Sequence, residues 1–189
     1  MAKIFKLGAV LFAITAITGL VLGGIYTMTL GPISAAKEKE KMAALVETLP
    51  GASDFEEVEF SPENGIVKEI NKGSANGKAV GYNITVTPKG YGGLIEMVVG
   101  IDNEGRLMDI KILSHNETPG LGAKAAEPAF SGQFHEKKAE KIIVTTAPPA
   151  ADNEIQAISG ATITSKAVAS GVNTALEYWT KNLKEEGNN

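Results

Sequence analysis

The sequence predicts an α+β protein: a single N-terminal transmembrane helix followed by one domain that combines an antiparallel sheet with a C-terminal helix. Three observations predict this class. A long apolar segment without charges lies near the N-terminus, segments with strand-like alternation occupy the middle, and an amphipathic helical pattern closes the chain. A chain of 189 residues is long enough for one domain with its own core and one appended element.

The N-terminal segment is long enough to cross a membrane. No charged residue occurs from Leu7 to Ala36, and residues 7–30 are mostly Leu, Ile, Val, Ala, Gly and Thr. As a helix, residues 7–30 rise about 36 Å, against a hydrocarbon thickness of about 30 Å. A cleaved signal peptide is the alternative, but its apolar part is usually only about 7–15 residues long. We therefore interpret residues 7–30 as an uncleaved transmembrane helix in membrane lipid, and residues 1–6 as a cytoplasmic tip.

The charge distribution indicates orientation and excludes some partners. Lys3 and Lys6 precede the span, which favours a cytoplasmic N-terminus and an extracytoplasmic domain. After about residue 31 lie 16 of the 18 basic residues and all 22 acidic ones, a formal charge of −6, so we expect no nucleic-acid partner. The absence of cysteine excludes disulfides and thiolate-held metals, and with two histidines we expect no metal site.

Residues 31–79 are predicted to contain a juxtamembrane helix and the N-terminal part of the soluble domain. Met42, Leu45 and Leu49 recur at helical spacing, which predicts a helix over residues 34–49. The stretch that follows is polar and rich in glycine. We expect it to be irregular.

That polar stretch, residues 52–81, contains only two short strand candidates, at 57–60 and 67–70. The chain then becomes clearly β. Strands are predicted at residues 82–86 and 107–113 from alternation, and at residues 93–101 from a continuous apolar run.

Two further features complete the predicted domain. Residues 102–105, Asp-Asn-Glu-Gly, predict a hairpin turn, and residues 141–145 predict another strand. A helix is predicted from residue 164 to about residue 184. Its apolar stripe, which we expect to pack in the core, is Val168, Val172, Leu176, Trp179 and Leu183.

The first candidate functional segment lies in a loop over residues 115–135, and loops of that length are usually functional or disordered. Its Pro119-Gly120 pair is also typical of an ordinary surface turn. In the functional interpretation two residues supply polar contacts, two glycines bring the backbone close to a planar ligand, and one cation meets an anionic group. These residues are Glu117, Thr118, Gly120, Gly122 and Lys124.

The second candidate segment is the turn 159–162 at the predicted start of the last helix. Unpaired N–H groups and the helix dipole make such a position favourable for phosphate, and Gly160 lets an anion approach. Thr162 presents a hydroxyl that can itself be joined to the phosphate. Because no His–Asp partner is apparent, we do not expect self-catalysed chemistry there, whereas modification by a separate enzyme is compatible with the sequence. The alternative is that Ser159, Thr162 or Thr164 merely caps the helix.

Taken together, these segments resemble one family. The N-terminal span, Gly90-Tyr91-Gly92-Gly93, residues 117–122 and Ser159-Gly160-Ala161-Thr162-Ile163-Thr164-Ser165 are similar, in this order, to the FMN-binding domain of the G subunit of the Rnf electron-transport complex. The resemblance defines a predicted FMN-binding domain over residues 80–185. The C subunit of the sodium-translocating NADH:quinone reductase is a related alternative, but it is usually a longer chain.

The resemblance implies a covalent cofactor. FMN would be attached through its phosphate to Thr162 by a flavin transferase that draws on FAD and a divalent metal. Gln156 stands where the transferase motif usually has an acidic residue. The rest of the attachment motif would be Ser159, Gly160 and Ala161, and the residues against the isoalloxazine would be Glu117, Thr118, Gly120, Leu121 and Gly122.

The resemblance also implies a function. The chain would be one subunit of a membrane electron-transport complex that couples ferredoxin oxidation and NAD reduction to translocation of Na⁺ or H⁺. Such an oxidoreductase subunit would turn over no substrate alone, since the cofactor carries the redox chemistry. The alternative outside redox chemistry is an anchored assembly or binding protein without flavin, in which residues 159–162 only cap a helix.

Overall fold

The computed structural model describes residues 2–60 and 65–184 of the chain. Met1 of the predicted tip and Glu185, the last residue of the predicted FMN-binding domain, lie outside the described residues. The chain divides into two compact units, Met1–Lys41 and Met42–Asn189.

The first unit is helical. Helix α1 runs from Ala2 to Thr48 and passes through Pro32. The helix predicted over residues 34–49 is therefore present, as the continuation of α1. A proline inside a helix removes one backbone hydrogen bond, yet the helix continues on both sides of Pro32. This helix is long and apolar enough to cross a membrane. Its most apolar stretch of 18 residues contains no buried residue.

The last turns of α1 belong to the second unit and pack in it. Leu45 and Leu49 are buried as the helical spacing predicts, whereas Met42 is 42% exposed. Ala44 and Thr48 take part in the buried face instead. The buried face of this helix segment is therefore formed by Ala44, Leu45, Thr48 and Leu49. It is rotated relative to the predicted stripe, which contained Met42.

The second unit contains a five-stranded antiparallel sheet whose spatial order follows the sequence. Its strands are β1 (Asp54–Glu57), β2 (Val67–Ala75), β3 (Lys78–Val86), β4 (Glu96–Asp102) and β5 (Leu107–Ser114). The fold class is confirmed, as are the predicted strands that became β3, β4 and β5.

The hairpin turn between β4 and β5 is also confirmed, since the Gly105 N–H donates to the Asp102 carbonyl at 3.1 Å. Within residues 52–81, the strand candidate at 67–70 is confirmed as the start of β2, and the candidate at 57–60 overlaps β1 only at Glu57. The irregular character expected for the rest of this stretch is wrong where β2 continues to Ala75 and β3 begins at Lys78. There β2 pairs with β3 from Val67 to Ala75, since backbone hydrogen bonds form a ladder even between polar and glycine-rich segments.

The loop after β5 contains short helical turns. They comprise a 3₁₀ turn at Gly122–Ala126, a short helix α2 at Pro128–Ser131 and a second 3₁₀ turn at Gly132–Phe134. A separate parallel pair follows, formed by β6 (Ile143–Thr145) and β7 (Glu154–Gln156). The sequence predicted the first of these two strands but not its partner.

Helix α3 (Thr162–Tyr178) and the π-helical turn Trp179–Leu183 end the described chain. All five residues of the predicted apolar stripe are buried. Helix α3 packs against β3 and β4, so the main core lies between the sheet and this helix. This packing fixes the start of α3 beside the loops that precede β4 and follow β5.

Candidate cofactor site

A cleft of about 520 Å³ lies at the N-terminal end of α3. Its volume falls within the range of roughly 300–1,000 Å³ that is typical of small-molecule sites. Three segments that are distant in the sequence meet here: the loop before β4, the loop after β5 and the first turn of α3. The lining residues are Tyr91, Glu117, Thr118, Leu121, Gly122, Gly160, Ala161, Thr162, Ile163 and Thr164.

The start of α3 lacks a side-chain cap. The residue at the N-cap is Ala161, and no side chain hydrogen-bonds to the first turn as a cap. The capping interpretation of Ser159, Thr162 and Thr164 is therefore wrong. The first helical hydrogen bond runs from the Ser165 N–H to the Ala161 carbonyl at 3.0 Å.

Three backbone donors consequently remain available at this helix start. Within residues 2–60 and 65–184, no acceptor is found for the N–H groups of Thr162, Ile163 and Thr164. The first turn itself contains no acidic residue, and the Glu117 carboxylate from the loop after β5 accepts the Thr164 hydroxyl instead of these N–H groups. Unpaired donors at the positive end of a helix form a site suited to an anion.

Thr162 is the first residue of α3, and its half-buried side chain lines the cleft. Its hydroxyl has no hydrogen-bond partner in the described part of the chain. The preceding turn contains Gly160 at φ +75°, a conformation that side chains rarely adopt. The hydroxyl of Thr162 and the free donors of α3 therefore lie at the same place.

Glu117 joins the three walls of the cleft. Its carboxylate is buried, with only 6% of the residue exposed. One oxygen accepts the Gly92 N–H at 2.9 Å, and the other accepts the Thr164 hydroxyl at 2.5 Å. Both carboxylate oxygens are thus used in bonds within the protein. No sequence pattern indicated the role of Thr164, because its partner lies 47 positions away in the chain.

Two glycines make room for this carboxylate. A Cβ on Gly122 would lie 2.5 Å from one Glu117 oxygen and 2.7 Å from the Thr164 hydroxyl. A Cβ on Gly90 would overlap the other oxygen. Gly122 therefore brings the backbone close to a buried side chain of the protein, in addition to lining the cleft.

The mouth of the cleft is apolar. Tyr91, Leu121 and Ile163 line it and are 71%, 45% and 57% exposed, respectively. Of these, Tyr91 and Ile163 were not among the predicted site residues, although both lie in the motifs that carry the resemblance. An aromatic residue and two aliphatic ones offer a surface suited to a planar apolar ring system.

Three predicted site residues do not line the cleft. Ser159 and Gly120 are exposed in the turns beside it. Lys124 is exposed in the 3₁₀ turn that follows the 117–122 loop. The remaining predicted residues all meet at the cleft.

Comparison with known proteins assigns this geometry to a family. The FMN-binding domain family matches residues 90–177, a range that contains all three walls of the cleft. The G subunit of the Na⁺-translocating ferredoxin:NAD⁺ oxidoreductase complex of Acetobacterium woodii is 39% identical, covering 93% of this chain and 91% of its own. The G subunit of the proton-translocating complex of Clostridium ljungdahlii is 38% identical, covering 87% and 85%. The chain belongs to this G-subunit family.

A third G subunit and a solved structure extend the comparison. The G subunit of the ion-translocating oxidoreductase complex of Methanosarcina acetivorans is 31% identical, covering 93% of this chain and 94% of its own. The crystal structure of the C subunit of the Na⁺-translocating NADH-quinone reductase of Parabacteroides distasonis superposes with a TM-score of 0.60 at 18% identity. It covers 80% of this chain and 96% of its own, and it shows the same fold.

Proposed function

We propose that this chain is the membrane-anchored flavoprotein subunit of an ion-translocating ferredoxin:NAD⁺ oxidoreductase complex. In this role it carries electrons through FMN within a complex that drives Na⁺ or H⁺ translocation. Family membership and the FMN-binding domain support the proposal. The single observation that carries it is the uncapped start of α3, where free N–H groups and the Thr162 hydroxyl meet in one cleft.

The donors at this helix start fit the phosphate of FMN. A phosphate oxygen accepts hydrogen bonds from backbone N–H groups, and the helix dipole favours its negative charge. Residues 162–164 supply the donors, and Gly160 leaves the approach to the backbone open. In contrast, the carboxylate of Glu117 is turned toward Gly92 and Thr164, and both its oxygens already accept hydrogen bonds.

The mouth of the cleft fits the isoalloxazine ring. Tyr91, Leu121 and Ile163 present exposed apolar surface that a planar ring would cover. Thr118 adds an exposed hydroxyl on the same lining and can hydrogen-bond a polar edge of the ring. Removing apolar surface from water against the ring is favourable by about 25 cal/mol per Å² before the costs of ordering the ligand are subtracted.

This fit distinguishes the role of the cofactor from the roles of the residues that hold it. Bound FMN supplies the electron-carrying chemistry. The residues of the chain bind and orient it: residues 162–164 hold the phosphate, the apolar mouth covers the ring, and Glu117 fixes the walls relative to one another. The expected role of the subunit is therefore to place a flavin within reach of its neighbours in the complex.

The phosphate is attached covalently to Thr162 in this proposal. A flavin transferase, with FAD and a divalent metal, forms the bond between the threonine oxygen and the phosphorus of the FMN half. The pyrophosphate bond of FAD breaks, AMP leaves, and the hydroxyl proton is released to solvent. The accessible, unpartnered hydroxyl of Thr162 supports this assignment.

The long apolar helix supports a membrane location. We place residues 1–6 in the cytoplasm, residues 7–30 in the lipid and the flavin domain outside the cytoplasm, because Lys3 and Lys6 flank the short side. A covalent bond is useful there, since FMN lost outside the cytoplasm is difficult to recover. Other subunits of the complex and the transferase are the expected protein partners.

Covalent fluorescence tests the proposal. The full chain is co-expressed with a matching flavin transferase and separated on a denaturing gel. Yellow-green fluorescence should stay with the wild-type band and disappear in Thr162→Ala. It should persist in the control Ser170→Ala, which removes an exposed hydroxyl from the same helix. A dark wild-type band, or a fluorescent Thr162→Ala band, contradicts the proposed attachment.

A further inference from the structure

Two threonines compete for the same cofactor at the start of α3. Thr162 and Thr164 both lie in its first turn, and both line the cleft. Chemically the two hydroxyls are equivalent nucleophiles. The choice between them must therefore come either from the packing of the chain or from the enzyme that modifies it.

The two hydroxyls differ in burial and in hydrogen bonding. Thr164 is 1% exposed and donates its hydroxyl proton to Glu117 at 2.5 Å, whereas Thr162 is half-buried and has no such partner in the described chain. The next hydroxyl, that of Ser165, is also buried. It donates to the Ala161 carbonyl at 3.0 Å and accepts the Ile158 N–H at 2.9 Å.

Glu117 cannot easily release Thr164. Its second oxygen accepts the Gly92 N–H at 2.9 Å, and the absent side chains of Gly90 and Gly122 leave space only for the carboxylate. An attacking oxygen must also be reached by a negatively charged phosphoryl group. A phosphoryl group bonded to the Thr164 side-chain oxygen would replace the proton that Glu117 accepts and would lie directly against its carboxylate, and like charges repel. A phosphate on Thr162 faces the backbone N–H groups of the helix start instead.

We infer that Glu117 is a specificity-determining residue for flavin attachment: it covers and occupies the hydroxyl of Thr164 and so directs the flavin phosphate to Thr162. This inference rests on the proposed covalent attachment. Glu117 acts here as a positioning residue, since its carboxylate contacts Thr164 and Gly92. The transferred group, the leaving AMP and the released proton are the same whichever threonine reacts.

The test asks whether removing the carboxylate moves the flavin. The full chain carrying Thr162→Ala, Glu117→Ala or both is co-expressed with the transferase and FAD supply, and labelled peptides are sequenced by mass spectrometry. Thr162→Ala alone should lose the label, and the double variant should regain it on Thr164. As a matched control, Thr162→Ala combined with Glu127→Ala, which removes an exposed carboxylate, should stay unlabelled.

The other outcomes are equally decisive. Label on Thr164 in Thr162→Ala alone overturns the inference, because Glu117 is then no barrier. An unlabelled double variant, beside a Glu117→Ala protein labelled on Thr162, overturns it by showing that the transferase makes the choice. Complete loss of label in Glu117→Ala overturns it too, since Glu117 is then required for attachment itself. An unlabelled wild type instead removes the proposed function on which the inference rests.

Discussion

At the scale of single residues, Gly122 packs closely against the hydrogen-bonded pair of Glu117 and Thr164. An added methyl group would lie 2.5 Å from the Glu117 carboxylate and 2.7 Å from the Thr164 hydroxyl. Glu117 cannot retreat, because it is buried and its other oxygen accepts the Gly92 N–H. Any substitution at residue 122 must therefore displace a hydrogen-bonded pair.

We expect Gly122→Ala to destabilise the protein by about 1–3 kcal/mol, the usual cost of overpacking a buried contact. The thermal unfolding midpoint of the detergent-solubilised chain measures this effect. Gly132→Ala is the matched control, since Gly132 has φ −62° and no atom within 4 Å of its added Cβ. Equal midpoints for Gly122→Ala and Gly132→Ala would show that Glu117 moves freely.

Residue roles could be predicted from the sequence only where the local pattern determines them. The local pattern placed Thr162 in a turn favourable for phosphate, and only the family resemblance made it the expected attachment residue, which stays a proposal. Glu117 was expected to contact the ligand; it lines the cleft, and both of its oxygens also accept hydrogen bonds from the protein. The pairing with Thr164 depends on how α3 packs against the loop after β5, and no local pattern encodes that.

At the scale of secondary-structure elements, buried hydrogen bonds join the last turn of α1 to the sheet. The Asn83 side-chain amide on β3 donates to the Thr48 hydroxyl at 2.7 Å and to the Leu45 carbonyl at 3.3 Å. Asn83 and Thr48 are fully buried. A buried donor that loses its acceptor costs about 1–3 kcal/mol.

Thr48→Val removes the acceptor with little change in shape, so we expect it to lower the unfolding free energy by about 1–3 kcal/mol. Denaturant unfolding of the full chain in detergent measures the change. The control is the converse substitution at an exposed position of the same helix, Val46→Thr, which should change stability by less than about 0.5 kcal/mol. Equal unfolding free energies for the two variants would show that this hydrogen bond does not stabilise the packing of the helix on the sheet.

Elements were predictable where side-chain periodicity was strong. The stripe of α3 and the alternation in β5 both predicted elements that the structure contains. In contrast, only residues 67–70 of β2 were a strand candidate. The rest of the strand, residues 71–75, is rich in Asn, Lys, Gly and Ser, so its pairing with β3 comes from backbone bonds that side-chain patterns do not report. The strand β7 is only three residues long, too short to show any periodicity.

At the scale of the whole molecule, the proposed orientation places the two ends of the membrane span on opposite sides. Because the chain has no cysteine, a single introduced cysteine reports its own location. We expect Glu127→Cys in the flavin domain to react with a membrane-impermeant maleimide in intact cells. Lys3→Cys should react only after permeabilisation. The reverse pattern contradicts the proposed topology.

The central claim is that this family member carries its flavin on Thr162. Mass spectrometry of the protein purified after co-expression with a transferase tests it most directly, since trypsin can release the peptide between Lys141 and Lys166 that contains all hydroxyls of the attachment motif. The account predicts one FMN phosphoester in this peptide, with fragment ions that place it on Thr162. An unmodified peptide accompanied by flavin released on denaturation, or a phosphoester on any other residue, would contradict it.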